Sequence, residues 1–238
     1  YDVADILPDL FFRTGREVQA RCDFWSLVSD TFAANFFRPM TEWCRKHGLY
    51  FTGHFLYEEQ LASNVGFSGS LLAAARELSL PGMDHLGGGF VGRSLMTLVG
   101  HTSNFGAIVP KLVSSAAHLG GWTRTMSESN GFSSAKVGTT FSEYVATSNW
   151  EMVLGINTLP YYTMDWVGCT DEQRKRYSEY AGRINYMTAG GTHIAPVAVL
   201  YPIATAWAHF NPKEGNLNGG RQRAWADPGM DRLQCIYE

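Results

Sequence analysis

The chain of 238 residues lacks several features that would assign it at once to a class of protein. No apolar run reaches the ~20 residues that a membrane-spanning helix needs. Its 19 Lys and Arg residues are scattered and the formal net charge is −3. The basic face that a dedicated nucleic-acid-binding domain carries is therefore missing. We expect neither a membrane nor a nucleic acid as its partner.

Cysteine is also scarce. None of the four cysteines forms a C-x-x-C pair: Cys22, Cys44, Cys169 and Cys235. This spacing argues against a structural zinc site and favours free thiols.

The glycine-rich stretch over 87–92 matches neither G-x-x-x-x-G-K-[ST] nor G-x-G-x-x-G. No G-x-S-x-G elbow is present either. We predict no nucleotide or organic cofactor, and a serine hydrolase is disfavoured.

The residues that are present describe a folded protein with a substantial core. Hydrophobic residues make up 45% of the chain and charged residues 17%, which is ordinary for a globular domain. Aromatic residues reach 13%, with seven Trp. Aromatic side chains often line sugar sites, but they also fill cores well, so this excess favours no function by itself.

Helical and strand-like segments alternate along the chain. Apolar side chains recur every three or four residues over 16–47, which predicts a long helix that Pro39 kinks or splits. Further helices are predicted over 70–79, 109–119, 141–155 and 171–188. Short apolar strands are predicted between and after them, over 49–57, 83–87, 123–129, 156–162 and 193–202.

This alternation predicts an α/β fold with a parallel sheet. A complete (β/α)8 barrel of the TIM type takes ~250 residues, whereas this chain contains about five strand–helix units. We therefore predict the later part of such a barrel, about strands 4 to 8, over residues 1–209. Residues 210–238 are rich in Gly, Pro and Asn and are predicted to form an irregular segment that leads to a following region. We expect the chain to be a piece of a longer protein.

Chemistry in parallel α/β folds lies at the carboxyl ends of the strands. Glu58 and Glu59 end the first predicted strand, and Glu128 ends the third. Strand alternation places Glu58 on the same side as His54, so we prefer Glu58 to Glu59. A solvated acidic loop is the competing interpretation.

Two carboxyl groups at neighbouring strand ends suit glycoside hydrolysis. One, protonated, donates to the leaving oxygen, while the other, ionised, activates water or attacks the sugar. We predict Glu58 or Glu59 and Glu128 as this pair. Further candidates for contacts with the sugar are His54, Asp84, His85, Asn157, Tyr162 and Trp122. In an alternative interpretation, His54, Asp84 and His85 ligate a metal in a barrel enzyme that acts on sugars.

Several ordered blocks resemble the barrel of large bacterial glycoside hydrolases, most closely the family 106 α-L-rhamnosidase-like group. These blocks are "CDFWSLVSDTFAANFFRPMTEWCRKHGLYFTGHFLYEE", "LPGMDHLG", "KLVSSAAHLGGWTRTMSESNGF", "LGINTLPYY" and "APVAVLYP". The resemblance covers roughly residues 1–205. It implies a catalytic (β/α)8 barrel in a longer periplasmic or secreted protein that has accessory β-sandwich domains and acts on an oligo- or polysaccharide.

The resemblance also implies a mechanism. It implies inversion by two glutamates, for which Glu58 (or Glu59) and Glu128 occupy the matching strand ends. It implies a calcium ion near the bound sugar, although the residues suggest no set of calcium ligands. Beside an α-L-rhamnosidase, two alternatives stay open: a metal-dependent barrel enzyme, and a non-catalytic carbohydrate-binding relative.

Overall fold

The computed structural model describes residues 2–56, 58, 61–85, 108–129, 141–159 and 170–213. This part of the chain is mixed α/β and mostly helical, with a small parallel sheet of three strands. The strands are β1 (Thr52–Gly53), β2 (Leu80–His85) and β3 (Met126–Ser129). The helices are α1 (Val3–Phe11), α2 (Glu17–Phe32), α3 (Arg38–Lys46), α4 (Leu61–Ser68), α5 (Leu71–Arg76), α6 (Ile108–Leu119), α7 (Phe141–Val153), α8 (Asp171–Ala189) and α9 (Ile203–His209).

The long helix predicted over 16–47 is confirmed as an almost continuous helical segment. Helix α2 continues through a π-helical turn (Ala33–Phe37) into α3. Pro39 directly follows the π-helical turn, in the first turn of α3, and proline is a usual cause of such an irregularity because it has no backbone N–H to donate to the preceding turn. Gly48, with φ of 70°, follows the end of α3, as a left-handed residue commonly does.

The three strands are parallel and lie in the order β1-β2-β3. Thr52 pairs with Leu80, and further along β2 Asp84 pairs with Glu128. A single parallel bridge joins Met126 to Thr158 beyond β3. Helices lie between successive strands, which is the crossover arrangement of parallel α/β folds. The predicted parallel sheet is confirmed; β1 and β3 are shorter than the strands predicted over 49–57 and 123–129, and β2 begins three residues before the strand predicted over 83–87.

Other predicted elements differ from the structure. Residues 191–202 belong to no helix or strand, and Ile194 and Leu200 are 85% and 86% exposed. The prediction of a buried strand over 193–202 was therefore wrong, because an apolar run forms a strand only beside a neighbour that pairs its backbone groups. Helices α1, α4 and α9 were not predicted. Eight-stranded closure stays a prediction, since the described residues supply three strands and one bridge.

The two faces of the sheet differ in character. Met83 packs in an apolar cluster with residues of α6, α7 and α8, so helices cover this face. Because side chains alternate, His85, Ser127 and Ser129 point to that same face, whereas Asp84 and Glu128 point to the opposite face. The front face of the sheet is defined here as the Asp84 and Glu128 side, and the back face as the side under the helices.

A second apolar cluster joins α2, α4 and α9. Phe210, which is fully buried, packs edge-on against Trp25 at 4.9 Å between ring centroids. The start of the predicted irregular segment therefore belongs to the core, and most of that segment lies outside the described residues. No helix in the described ranges is both long and apolar enough to span a lipid bilayer.

Gly82, at the middle of the sheet, has no room for a side chain. A Cβ atom there would lie 2.5 Å from Cε of Met126 and 2.6 Å from the backbone oxygen of Gly53. We expect Gly82→Ala to lower the free energy of unfolding by about 1–3 kcal/mol, as overpacking does. Chemical denaturation measures this change.

The control is Gly182→Ala in α8, where a Cβ atom meets nothing within 4 Å. This substitution should raise stability by roughly 0.5–1 kcal/mol, because alanine favours a helix interior over glycine. A Gly82→Ala variant as stable as the parent chain would show that Met126 and Gly53 do not pack tightly against Gly82.

Candidate acid–base site

One imidazole and three carboxylates meet on the front face of the sheet. His54, which follows β1, has its Nε2 atom 2.7 Å from Oε2 of Glu128. Its Nδ1 atom lies 3.7 Å from Oδ2 of Asp84 and 3.9 Å from Oε1 of Glu58. The carboxyl ends of three strands and the loop after β1 thus contribute to one cluster.

His54 bridges the two outer strands of the sheet. It follows Gly53, which pairs with Pro81 in β2, and its Nε2 atom lies 2.7 Å from Glu128 in β3. The place of a Gly82 side chain is filled by Met126 of β3, whose Cε atom would lie 2.5 Å from a Cβ atom there. The contact of His54 with Glu128 therefore joins the loop after β1 to the end of β3.

The contacts of His54 place a proton between it and Glu128. Its Nδ1 atom lies 3.1 Å from the carbonyl oxygen of Phe55. A carbonyl only accepts, so a hydrogen bond there requires the proton on Nδ1. The 2.7 Å contact between Nε2 and Glu128 then needs a second proton, carried by either the ring or the carboxyl group. Either arrangement forms a hydrogen bond between two side chains that solvent reaches, since they are 32% and 24% exposed.

Glu58 is held by the backbone. Its side chain is 4% exposed. Its Oε1 atom accepts from the Phe55 N–H at 2.5 Å and its Oε2 atom from the Asp84 N–H at 3.0 Å. Its own carbonyl oxygen accepts from Asn64 at 3.1 Å. An ionised carboxylate, which only accepts, satisfies both N–H donors. Glu58 thereby ties the loop after β1 to strand β2.

Asp84 is the second carboxylate that solvent can reach. It pairs with Glu128 across β2 and β3, and the two side chains are 22% and 24% exposed. His54 lies within 3.7 Å of one and 2.7 Å of the other, so their oxygens are at most about 9 Å apart. An upper limit of about 9 Å allows both the ~5–5.5 Å between the carboxyl groups of retaining glycoside hydrolases and most of the roughly 6.5–9.5 Å of inverting ones.

His85 does not join this cluster. It lies on the back face, 3% exposed, with Nδ1 2.9 Å from Oε1 of Glu151. The predicted grouping of His54, Asp84 and His85 is therefore divided between the two faces. Sequence reasoning missed Glu151. The buried positions of α7 do show a helical spacing that includes it: Tyr144, Thr147, Ser148, Glu151 and Met152.

Asn157 and Trp122 lie away from the cluster. The Asn157 side chain donates to the Thr123 oxygen at 2.7 Å and accepts from the Thr125 N–H at 3.0 Å. These contacts precede β3, at the amino end of the sheet. Trp122 follows the end of α6, and its backbone N–H donates to the Ala117 backbone oxygen at 2.8 Å. Two other predicted residues, Glu59 and Tyr162, lie outside the described residues.

The calcium ion that the resemblance implies finds no ready ligand set on the front face. Calcium takes about six to eight oxygen ligands, and both carboxylate oxygens of Glu58 already accept backbone N–H groups. Within the described ranges, no group of three or more His, Cys, Asp and Glu side chains is arranged to hold a metal ion. Calcium stays a prediction from the resemblance, and no step below uses it.

Comparisons with known proteins found no match: no family model, no curated protein and no solved structure is similar to this chain. The rhamnosidase-like resemblance therefore stays a prediction, and the geometry of the front face carries the functional argument.

The contacts of Asn157 predict a structural role for it. We expect Asn157→Ala to lower the free energy of unfolding by about 1–3 kcal/mol, because the substitution leaves the buried Thr125 N–H without its acceptor. Thermal or chemical denaturation measures the change. Asn35→Ala, at an exposed position, should stay within about 0.5 kcal/mol of the parent chain. A stable Asn157→Ala variant with weakened sugar binding would instead favour the predicted contact with substrate.

Proposed function

We propose that the chain is the catalytic part of a glycoside hydrolase, with α-L-rhamnosides as the first substrates to test. One observation carries the proposal: Glu128 lies 2.7 Å from Nε2 of His54 and, on the same accessible face, beside a second carboxylate. General acid catalysis needs a carboxyl group that holds a proton within reach of the leaving oxygen. Hydrolysis also needs a second carboxylate nearby to activate water.

In the proposed reaction Glu128 is the general acid. As the glycosidic C–O bond breaks, the proton held between Glu128 and His54 moves from the Glu128 carboxyl group to the leaving oxygen. Asp84, as general base, takes a proton from a water molecule whose oxygen forms the new bond to the anomeric carbon. The glutamate then regains its proton from solvent, and Asp84 releases the one that it took.

Glu58 takes a supporting role in this scheme, in place of the catalytic role expected from the sequence. Its two oxygens accept backbone N–H groups, one of them from Asp84. It therefore fixes the backbone that carries the proposed base. The more accessible Asp84 side chain is better placed to meet a water molecule, since 22% of it is exposed compared with 4% for Glu58.

Fewer observations support the proposed barrel, family and substrate than support the acid–base site. A parallel sheet with helices between its strands is compatible with the later part of a (β/α)8 barrel, and the cluster lies at the carboxyl edge, where barrel enzymes place their chemistry. The preference for α-L-rhamnosides, the polysaccharide substrate, the calcium ion, the accessory domains and the secreted location are proposed from the resemblance alone.

Substitution of Glu128 tests the proposal. With alkyl α-L-rhamnosides, whose poor leaving groups need protonation, we expect Glu128→Gln to lower kcat by about 100- to 10,000-fold, the usual contribution of a general acid. Asp84→Asn should lower kcat similarly. Chromatography of the released sugar over time measures kcat for each variant. Glu179→Gln, on the exposed surface of α8, is the matched control and should leave kcat unchanged.

Other outcomes would support the alternatives. Sugar binding without hydrolysis, unaffected by Glu128→Gln, would indicate a non-catalytic carbohydrate-binding protein. Activity that a chelator removes and a transition metal restores would indicate a metal-dependent enzyme. Full hydrolytic activity in the Glu128→Gln variant would overturn the proposed role of this carboxyl group.

A further inference from the structure

We propose that Glu151 is a positioning residue that holds the two carboxylates of the acid–base site in place from behind the sheet. The effect on catalysis rests on the proposed function, whereas the positioning of the strands rests only on the contacts of Glu151. Glu151 lies in the last turn of α7 and its side chain is completely buried. It contacts no residue of the front-face cluster directly.

Three polar side chains from two strands converge on this carboxylate. His85 in β2 lies 2.9 Å from its Oε1 atom through Nδ1. In β3, Ser127 donates to Oε1 at 3.1 Å and Ser129 donates to Oε2 at 2.6 Å. A carboxylate can accept all three hydrogen bonds at once. One helix residue therefore joins the ends of both strands that carry the proposed acid and base.

Alternation along the strands links these contacts to the site. Ser127 and Ser129 are the two chain neighbours of Glu128, and His85 is the chain neighbour of Asp84. Holding the back-face side chains fixes the backbone on both sides of Glu128 and on one side of Asp84. The spacing between the two front-face carboxylates is thereby set from the back face.

Stability alone does not explain a carboxylate at this position. Burying a charge is costly, and apolar residues of similar volume often stabilise a core as well or better. The surrounding face is apolar, with Met83, Val113 and Met152 in its cluster. Apolar contacts are non-directional, whereas the three hydrogen bonds each require a set distance and angle, and they add to the backbone ladder between β2 and β3. A role in specifying strand position accounts for the buried polar group.

Glu151→Gln tests the role, because it keeps the shape of the side chain while one carboxylate oxygen becomes an N–H donor group. At least one of the three donors then loses its acceptor, and the strand ends shift. We expect kcat to fall about 10- to 100-fold with KM within about twofold, the size of effect that a displacement of ~1 Å in catalytic geometry produces. Glu179→Gln, on the exposed surface of α8, should change neither constant.

A second readout does not depend on activity. The 15N chemical shifts of the His54 imidazole report its hydrogen bonds to Glu128 and Phe55. We expect these shifts to change in Glu151→Gln and, by a smaller amount, in Ser129→Ala, and to stay at the parent values in Glu179→Gln. Ser129→Ala removes one of the three contacts to Glu151, together with the contact of Ser129 with Ser127 at 2.9 Å, and it keeps the buried carboxylate. It therefore replaces Glu151→Gln in the test if that variant does not fold.

The outcomes separate the two proposals. Unchanged His54 shifts in a folded Glu151→Gln variant, or in Ser129→Ala where that variant does not fold, would overturn the positioning role even if denaturation showed lower stability. Lack of hydrolysis by the parent chain, together with changed His54 shifts in the variants, would overturn the proposed function and leave the positioning role supported.

Discussion

The parallel register of three short strands is the constraint on which the rest of this site depends. Pairing of Gly53 with Pro81 and of Asp84 with Glu128 brings residues far apart in the chain to one face. His54, which follows β1, lies 2.7 Å from Glu128 in β3 and so joins the loop after the first strand to the end of the third. A shift of one residue would turn Glu128 to the back face, because side chains alternate along a strand.

The two faces of this sheet carry two polar systems with different tasks. The front-face cluster is open to solvent, and Nε2 of His54 lies 2.7 Å from Glu128 there. On the back face, Glu151 is enclosed, with its oxygens accepting from strand side chains. Chemistry needs an accessible proton, whereas positioning needs directional contacts that water does not disturb. The alternation of the strands keeps the two systems apart and connects them through the backbone.

Local patterns in the sequence predicted the local structure. The apolar spacing over 16–47 predicted the helical segment. The predicted strand over 49–57 ends at Gly53, so the 3.9 Å between His54 and Glu58 comes from a turn, in which Glu58 accepts from the Phe55 N–H, and not from strand alternation. The register between strands has no local signature, so the contact of His54 with Glu128 could not be predicted. Glu151 was missed because its partner His85 lies 66 residues away. Residues 193–202 look like a strand locally but have no partner strand in the described chain.

The most direct test of the central claim is a crystal structure of the Glu128→Gln variant with an intact α-L-rhamnoside bound. The account predicts the glycosidic oxygen within about 2.6–3.2 Å of the side chain at position 128, the distance at which a general acid acts. It also predicts the Asp84 carboxylate on the opposite side of the anomeric carbon, with space for one water molecule. A sugar bound elsewhere, or a glycosidic oxygen beyond reach of position 128, would contradict it.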